Sequence, residues 1–196
     1  MTMLANDALD QLFREARTHI AWQDKDIPAE VLQQLYDLYK WGPTAMNCQP
    51  ARVVFVRSAE AKERLKPSLA PGNVEKTMAA PATAIIAYDT AFYEHLPEQF
   101  PVYPDAAEGF KANAEASLAT AQLNSGLQAG YFILAARSLG LDCGPMTGFE
   151  ADKVNEAFFP DGRYKASMLV NLGYGEADKL YPRGPRLSFD QACRIE

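Results

Sequence analysis

At 196 residues and 48% hydrophobic, the chain is long enough to bury one substantial core, and residues 1–196 are expected to form a single domain. A net charge of −6 argues against nucleic acid as a partner, since phosphate backbones need a cationic surface, and no run of about 20 apolar residues is present to span a membrane. Cys48, Cys143 and Cys193 are far apart, His19 and His95 have no companions at ligand spacing, and residues 1–7 lack the basic and apolar regions of an export signal, which together imply a cytoplasmic chain with no disulfide framework and no metal.

Residues 5 to 19 carry Leu9, Leu12, Phe13 and Ala16 at helical spacing. Arg17, Thr18 and His19 then gather a guanidinium, a hydroxyl and an imidazole at an element end; the set suits a phosphate, and a solvated helix terminus is the plain alternative. Pro28 opens a second helix with an apolar face of Val31, Leu32, Leu35, Leu38 and Tyr39. That helix stops at Gly42-Pro43. The following stretch, Thr44-Ala45-Met46-Asn47-Cys48-Gln49-Pro50, is polar although it sits between an amphipathic helix and an apolar run; it reads either as a self-satisfied turn or as a ligand cradle.

Val53 to Val56 reads as a strand covered on both faces, and 59 to 69 as a short charged helix ended by Pro71-Gly72. Asn73 and Lys76 are three apart, so one helical turn puts them on one face, for an ion pair or a ligand. Ala82 to Tyr88 is a second strand. From Phe92 to Phe110, Pro97, Pro101 and Pro104 interleave with aromatic residues, a pattern of lids and partner contacts. The longest helical pattern spans 111 to 139, with Leu118, Ala121, Leu127, Tyr131, Leu134 and Ala135 on its apolar side; Gly126 and Gly130 predict a tight crossing within one subunit or between two.

Cys143 to Phe149 reads as a turn, 150 to 158 as a helix and Met168 to Leu172 as a third clear strand. Gly173-Tyr174-Gly175 does not continue into a dinucleotide fingerprint, because position 178 is Asp and a proline follows at 182. Arg183 and Arg186 place cations in a rigid loop, before a last short helix from Ser188 to Cys193.

In order, these pieces resemble the FMN-dependent nitroreductase family from about Arg14 to Cys193. Pro43-Thr44-Ala45-Met46-Asn47-Cys48-Gln49-Pro50 is similar to its P-S-S-x-N-x-Q-P turn, and Arg17-Thr18-His19 to its R-x-S motif. Asn73 to Lys76 resembles its N-x-x-K, Pro145 to Phe149 its P-x-E-G-F, and Arg183 to Arg186 its C-terminal cationic pair. Lys40 to Thr44, Cys143 to Met146 and Pro185 to Phe189 are most like its malonic semialdehyde reductase branch, which implies reduction of 3-oxopropanoate to 3-hydroxypropanoate in pyrimidine degradation.

The resemblance implies an α+β nitroreductase-like fold, a central mixed sheet of about five strands flanked by helices, in an intertwined homodimer with FMN at the interface. Arg17, Thr18, His19, Arg183 and Arg186 would serve the phosphate, and Pro43, Thr44, Ala45 and Asn47 would approach the flavin from the other subunit. Asn73 and Lys76 would face the N1 and O2 edge, with the main chain of Met146, Thr147 and Gly148 near N5 and O4. NADH or NADPH would donate hydride through N5 to a small-molecule electron acceptor by a ping-pong scheme. Two departures stand out: the second basic residue of the N-terminal motif is Ala21, and the glutamate of P-x-E-G-F is Thr147. No residue is assigned as a catalytic nucleophile. The alternatives are a general nitroaromatic or quinone reductase, and a flavin-binding protein without NAD(P)H reductase activity.

Overall fold

The apolar run Ala82–Asp89 is buried along almost its whole length, so it belongs inside a sheet covered on both faces. In the computed structural model, which describes residues 2–196, it is the second of four strands. In chain order the elements begin with α1 (Asn6–Leu9), which widens into one π-type turn at Asp10–Arg14, then α2 (Ala29–Tyr39), β1 (Ala51–Val56), α3 (Ala59–Leu65), α4 (Pro71–Ala79) and β2 (Ala82–Asp89). They continue with α5 (Leu96–Gln99), α6 (Ala106–Ala112), α7 (Ala114–Ser138), β3 (Asp142–Met146), α8 (Ala151–Phe158), β4 (Tyr164–Gly173) and α9 (Phe189–Ala192).

The sheet order is β1-β2-β4-β3, with Val53 opposite Ile86, Ile85 opposite Leu169 and Gly144 opposite Asn171. Alternation along β2 divides the core in two. Ala82, Ala84 and Ile86 pack with Leu32, Leu35 and Tyr39 of α2 and with Ala129, Phe132 and Ala136 of α7. Ile85 and Ala87 face the other way, onto Leu65, Leu69, Val154 and Phe159. Each of these large side chains contributes about 1.5–3 kcal/mol by leaving water, which is what holds helices on both faces.

Several expectations meet a different structure. The sheet was expected to be mixed, yet every pairing among its four strands is antiparallel, because α3 with α4, and later α8, leave and return at the same end of the sheet. Val53 to Val56, expected to be covered on both faces, lies in the half-buried edge strand; among the described residues β1 has β2 on one side and no strand on the other. A cleft of about 540 Å³ runs between α2 and this open edge, lined by Leu32, Tyr36, Arg52, Val53 and Phe55.

The first helix gives way to extended chain before Arg17. The long helix begins at Ala114, because Asn113 interrupts the pattern and caps α7 with its side chain. That helix buries a face carrying Asn124, Ser125 and Gln128, while Leu118, Leu123 and Leu127 are exposed. Among the described residues no crossing occurs at Gly126 or Gly130, since none of them lies within 4 Å of a Cβ added at either.

Cys143 to Met146, expected as a turn, is strand β3. The His19 N–H donates to the Cys143 carbonyl at 3.0 Å, so alternate residues of β3 point their main-chain groups away from β4. Pro145 is one of these, and its missing N–H removes no bond from the β3–β4 ladder. The excursion from 92 to 110 folds into short helices around its own small core of Phe92, Leu96 and Ala106.

Candidate active site

The residues singled out in the sequence fall into two groups. The first collects along β3. Thr18 bridges Cys143 in parallel, which lays the N-terminal segment beside the strand. Arg17 Nη2 donates to the Tyr181 carbonyl and Arg183 Nη2 to the Ala16 carbonyl at 3.1 Å, so two arginines strap the C-terminal loop to that segment. Among the described residues neither guanidinium has a carboxylate partner. Arg186 stays on its own loop, donating to the Gly184 and Pro185 carbonyls.

Asn73 and Lys76, both half-buried, lie one turn apart on α4, as their spacing implied. Helix α4 is fixed from below by its carbonyl at Lys76, which accepts from Trp22 Nε1 at 2.9 Å and from the amide of fully buried Asn171 on β4 at 3.3 Å. Asn73 Nδ2 donates to the Gly148 carbonyl at 2.7 Å, and an added Cβ at Gly148 would lie 2.6 Å from that same nitrogen. Glycine at 148 is therefore a requirement of close approach. Past the end of β3, the Thr147 and Gly148 N–H groups are exposed and donate no hydrogen bond among the described residues. The half-buried Lys76 ammonium likewise has no carboxylate partner among them. A cleft of about 530 Å³ lies beside it, lined by Trp22, Lys76, Lys179 and Tyr181 together with the carboxylates Glu75 and Glu176.

His19, expected at the phosphate, has its side chain turned into the protein. Its side chain is buried, with Nε2 3.3 Å from Asp142 Oδ1, while Asp142 Oδ2 accepts from the Gly175 N–H at 2.8 Å. The ring lies where a Cβ of residue 175 would be, 1.8 Å from Nδ1, and Nδ1 itself has no partner. The imidazole thus packs the N-terminal segment against the Gly173–Gly175 turn. Met146 is also buried, its sulfur 3.6 Å from the Thr77 hydroxyl.

The second group is the turn from Pro43 to Pro50, and among the described residues no hydrogen bond joins it to the first. Here Met46, Asn47 and Gln49 all have positive φ, at 51°, 51° and 38°, the only non-glycine residues among those described to do so. Non-glycine residues adopt this region at a cost, and three within four positions need external support. Several neighbours supply it. Asn124 and Gln128 of α7 accept from the Ala45 and Ala51 N–H groups, both at 2.8 Å. Asn47 Nδ2 donates to the Gln99 carbonyl, Gln49 bonds the Gln99 side chain, and the Gln49 N–H donates to Thr44 Oγ1. Tyr131 Oη donates to the Pro43 carbonyl, its ring filling the space that a Cβ at Gly42 would take. The sequence reading missed Asn124, Gln128 and Gln99; the signal was two amides one helical turn apart, on one face of the long helix.

Burial pushes the thiol pKa of Cys48 up to about 11 and that of Cys143 up to about 12. Neither is a thiolate near neutral pH, so nucleophilic catalysis by these cysteines has no basis.

A helix–sheet–helix chain of this topology has the nitroreductase-like fold. Two solved structures superpose over nearly the whole chain: a "putative nitroreductase" from Bacillus subtilis (TM-score 0.88, 21% identity, 98% of this chain and 100% of that one) and a "putative nitroreductase in complex with FMN" from Exiguobacterium sibiricum (TM-score 0.86, 24% identity, 100% of both). The chain belongs to the nitroreductase family, whose model matches residues 14–174. Relatives from Ralstonia nicotianae (54% identity, 100% of both chains) and Polynucleobacter asymbioticus (56% identity, 99% of this chain and 98% of that one) are named "Putative NADH dehydrogenase/NAD(P)H nitroreductase".

Proposed function

We propose that the protein is an FMN-dependent NAD(P)H oxidoreductase of the nitroreductase type, reducing a small electron acceptor as a homodimer. The observation that carries this reading is the donor set of the first group. Among the described residues two guanidiniums and one ammonium have no carboxylate partner and two main-chain N–H groups no acceptor, in a chain whose net charge is −6; Lys76 lines the open cleft, and Arg17 is bonded to the carbonyl of Tyr181 at its edge. That set fits a ligand with a phosphate at one end and hydrogen-bond acceptors at the other, which is the chemistry of FMN.

Arg17 and Arg183 would hold the phosphate. Asn73 and Lys76 would meet the carbonyl edge of the ring, where Lys76 supplies the positive charge that a reduced flavin needs, and Thr147 and Gly148 would donate main-chain N–H groups. When bound, FMN supplies the hydride-accepting and hydride-donating chemistry that the side chains lack. We assign His19 the packing role described above rather than phosphate contact. The turn from Pro43 to Asn47 serves the flavin of a second copy in this reading.

The dimer reading has separate support. The groove of about 700 Å³ along α7, lined by Phe13, Leu123, Leu127, Tyr131 and Leu134, is almost wholly apolar, and β1 presents an unpaired edge. No helix among the described residues is long and apolar enough to cross a membrane, and the three unpaired cysteines suit a reducing compartment, which we take to be the cytoplasm.

A second acceptor reading, malonic semialdehyde, draws support from Lys179 at the rim of the cleft, a cation able to meet a substrate carboxylate. Arg52 is not free for that task, being bonded to Asp89 and to the carbonyls of Gln49 and Ala51. Purified protein should show flavin absorbance that NADPH bleaches anaerobically. Colourless protein that takes up no FMN sinks the proposal, and a yellow protein that NADPH cannot bleach leaves a flavin binder without reductase activity. Faster turnover of 3-oxopropanoate than of nitrofurazone or menadione would select the second acceptor.

A further inference from the structure

Asp89 at the end of β2 is fully buried and makes no contact with the first group of site residues, yet it is among the most heavily bonded carboxylates in the molecule. It accepts from Arg52 Nη2 at 2.9 Å, from Arg163 Nε at 2.9 Å and Nη2 at 3.1 Å, and from the Ala91 N–H at 2.9 Å. His95 Nε2 stands 3.9 Å away. Its own N–H donates to the Pro50 carbonyl. Arg163 spends its remaining donors on Glu94 and on the Ala91 carbonyl, and has no bond to residues 43–50. Arg52 behaves differently. Its Nη1 donates to the carbonyls of Gln49 and Ala51, both at 2.9 Å, so one planar fork joins the buried carboxylate to the last left-handed residue of the turn.

We propose that Arg52 is a positioning residue for cofactor binding, which aligned by Asp89 fixes the left-handed backbone of Met46 to Gln49 and so presents Thr44, Ala45 and Asn47 to the FMN of a second copy. The role rests on the reading that this turn serves a flavin. A turn with three non-glycine residues at positive φ does not hold its shape alone, and the bonds from α7 stop at Ala45 and restart at Ala51. Between those anchors the Gln49 carbonyl is held by Arg52, and Gln99 secures the side chains of Asn47 and Gln49 from the opposite side. A lysine at 52 keeps the charge and can pair with Asp89, yet a single ammonium cannot reproduce the fork.

The test compares Arg52→Gln, Arg52→Lys and Arg163→Gln in the full chain. FMN affinity is read by quenching of flavin fluorescence on titration of the apoprotein, and local order by hydrogen exchange at the amides of Asn47 to Gln49. Both Arg52 variants should bind FMN more weakly by on the order of tenfold, with faster exchange confined to the turn. Arg163→Gln removes bonds from the same carboxylate but should leave affinity and turn exchange unchanged. Equal weakening in Arg163→Gln and Arg52→Gln, or full recovery in Arg52→Lys, overturns the proposal in favour of a general structural role for the Asp89 cluster. Should Arg52→Gln fail to fold, Arg52→Lys against Arg163→Gln decides on the same two readouts. Wild-type protein that binds no FMN overturns the reading of the site itself and the positioning role with it, whereas wild-type affinity retained in the Arg52 variants overturns the positioning role alone.

Discussion

Cys143 shows how far a single residue departs from what its sequence position offers. It flanks the candidate site in sequence, but within β3 it has no exposure and burial holds its thiol protonated, as it does for Cys48. Native protein at pH 8 should therefore expose one thiol to an aromatic disulfide reagent, that of exposed Cys193, and all three after denaturation. The same burial makes stability depend on pH. Above roughly pH 9 an unfolded cysteine sheds its proton while the native one keeps it, so the native state binds more protons and stability falls as pH rises, by up to about 1.4 kcal/mol per pH unit for each thiol. Urea midpoints measured between pH 8 and 10.5 should decline accordingly, and less steeply in Cys143→Ala. At this scale the reading of the sequence succeeded where a backbone rule dictated the residue, as at Gly42-Pro43 and in the spacing of Asn73 and Lys76. It did not foresee the burial of His19, because the ring packs beneath Gly175, in a turn more than 150 residues away.

Helix α7 carries the clearest lesson among the elements. Of the apolar side that periodicity gives it, Ala121 and Ala135 are buried but Leu118 and Leu127 are exposed, as is Leu123, while the polar amides Asn124 and Gln128 are inside. A helix apolar on several sides gives no single direction to a periodicity argument. The amides face inward because the turn from Thr44 to Ala51 needs acceptors for its N–H groups, and only a tertiary contact reveals that need. Strand β3 was missed for a related reason: Gly144-Pro145 has turn chemistry, and what makes it a strand is the N-terminal segment on one side and β4 on the other. The outward leucines lead to a prediction. Leu123→Glu and Leu127→Glu together should leave the far-ultraviolet spectrum of the chain intact while light scattering reports a monomer in place of a dimer, since the substitutions touch no packed interior. A dimer that survives both charges would place the interface elsewhere.

Over the whole molecule, charge has been sorted. The chain is anionic, yet Arg17, Arg183 and Lys76 have no carboxylate partner among the described residues, with Lys76 in the cleft and Arg17 bonded to the carbonyl of Tyr181 at its edge. Binding of a phosphorylated cofactor there acts largely through partly exposed charges, which salt screens over about 8–10 Å. FMN affinity should weaken steadily between 50 mM and 500 mM sodium chloride. Riboflavin, which lacks the phosphate, should bind more weakly and show little of that dependence; equal salt sensitivity for the two ligands would remove the phosphate role from the arginines.

The separation of the two groups of site residues also has a genetic consequence. In the proposed dimer each cofactor site draws the β3 group from one copy and the turn from the other. A protein impaired through Arg17 and a protein impaired through Asn47 would each be inactive as a pure dimer. Mixed dimers of the two would place both lesions in one site and leave its twin whole. Co-expression of the two defective alleles should then restore roughly a quarter of the wild-type sites, from an even pool in which half the dimers are mixed. Such alleles would complement each other although they lie in one gene, and two alleles affecting the same group would not.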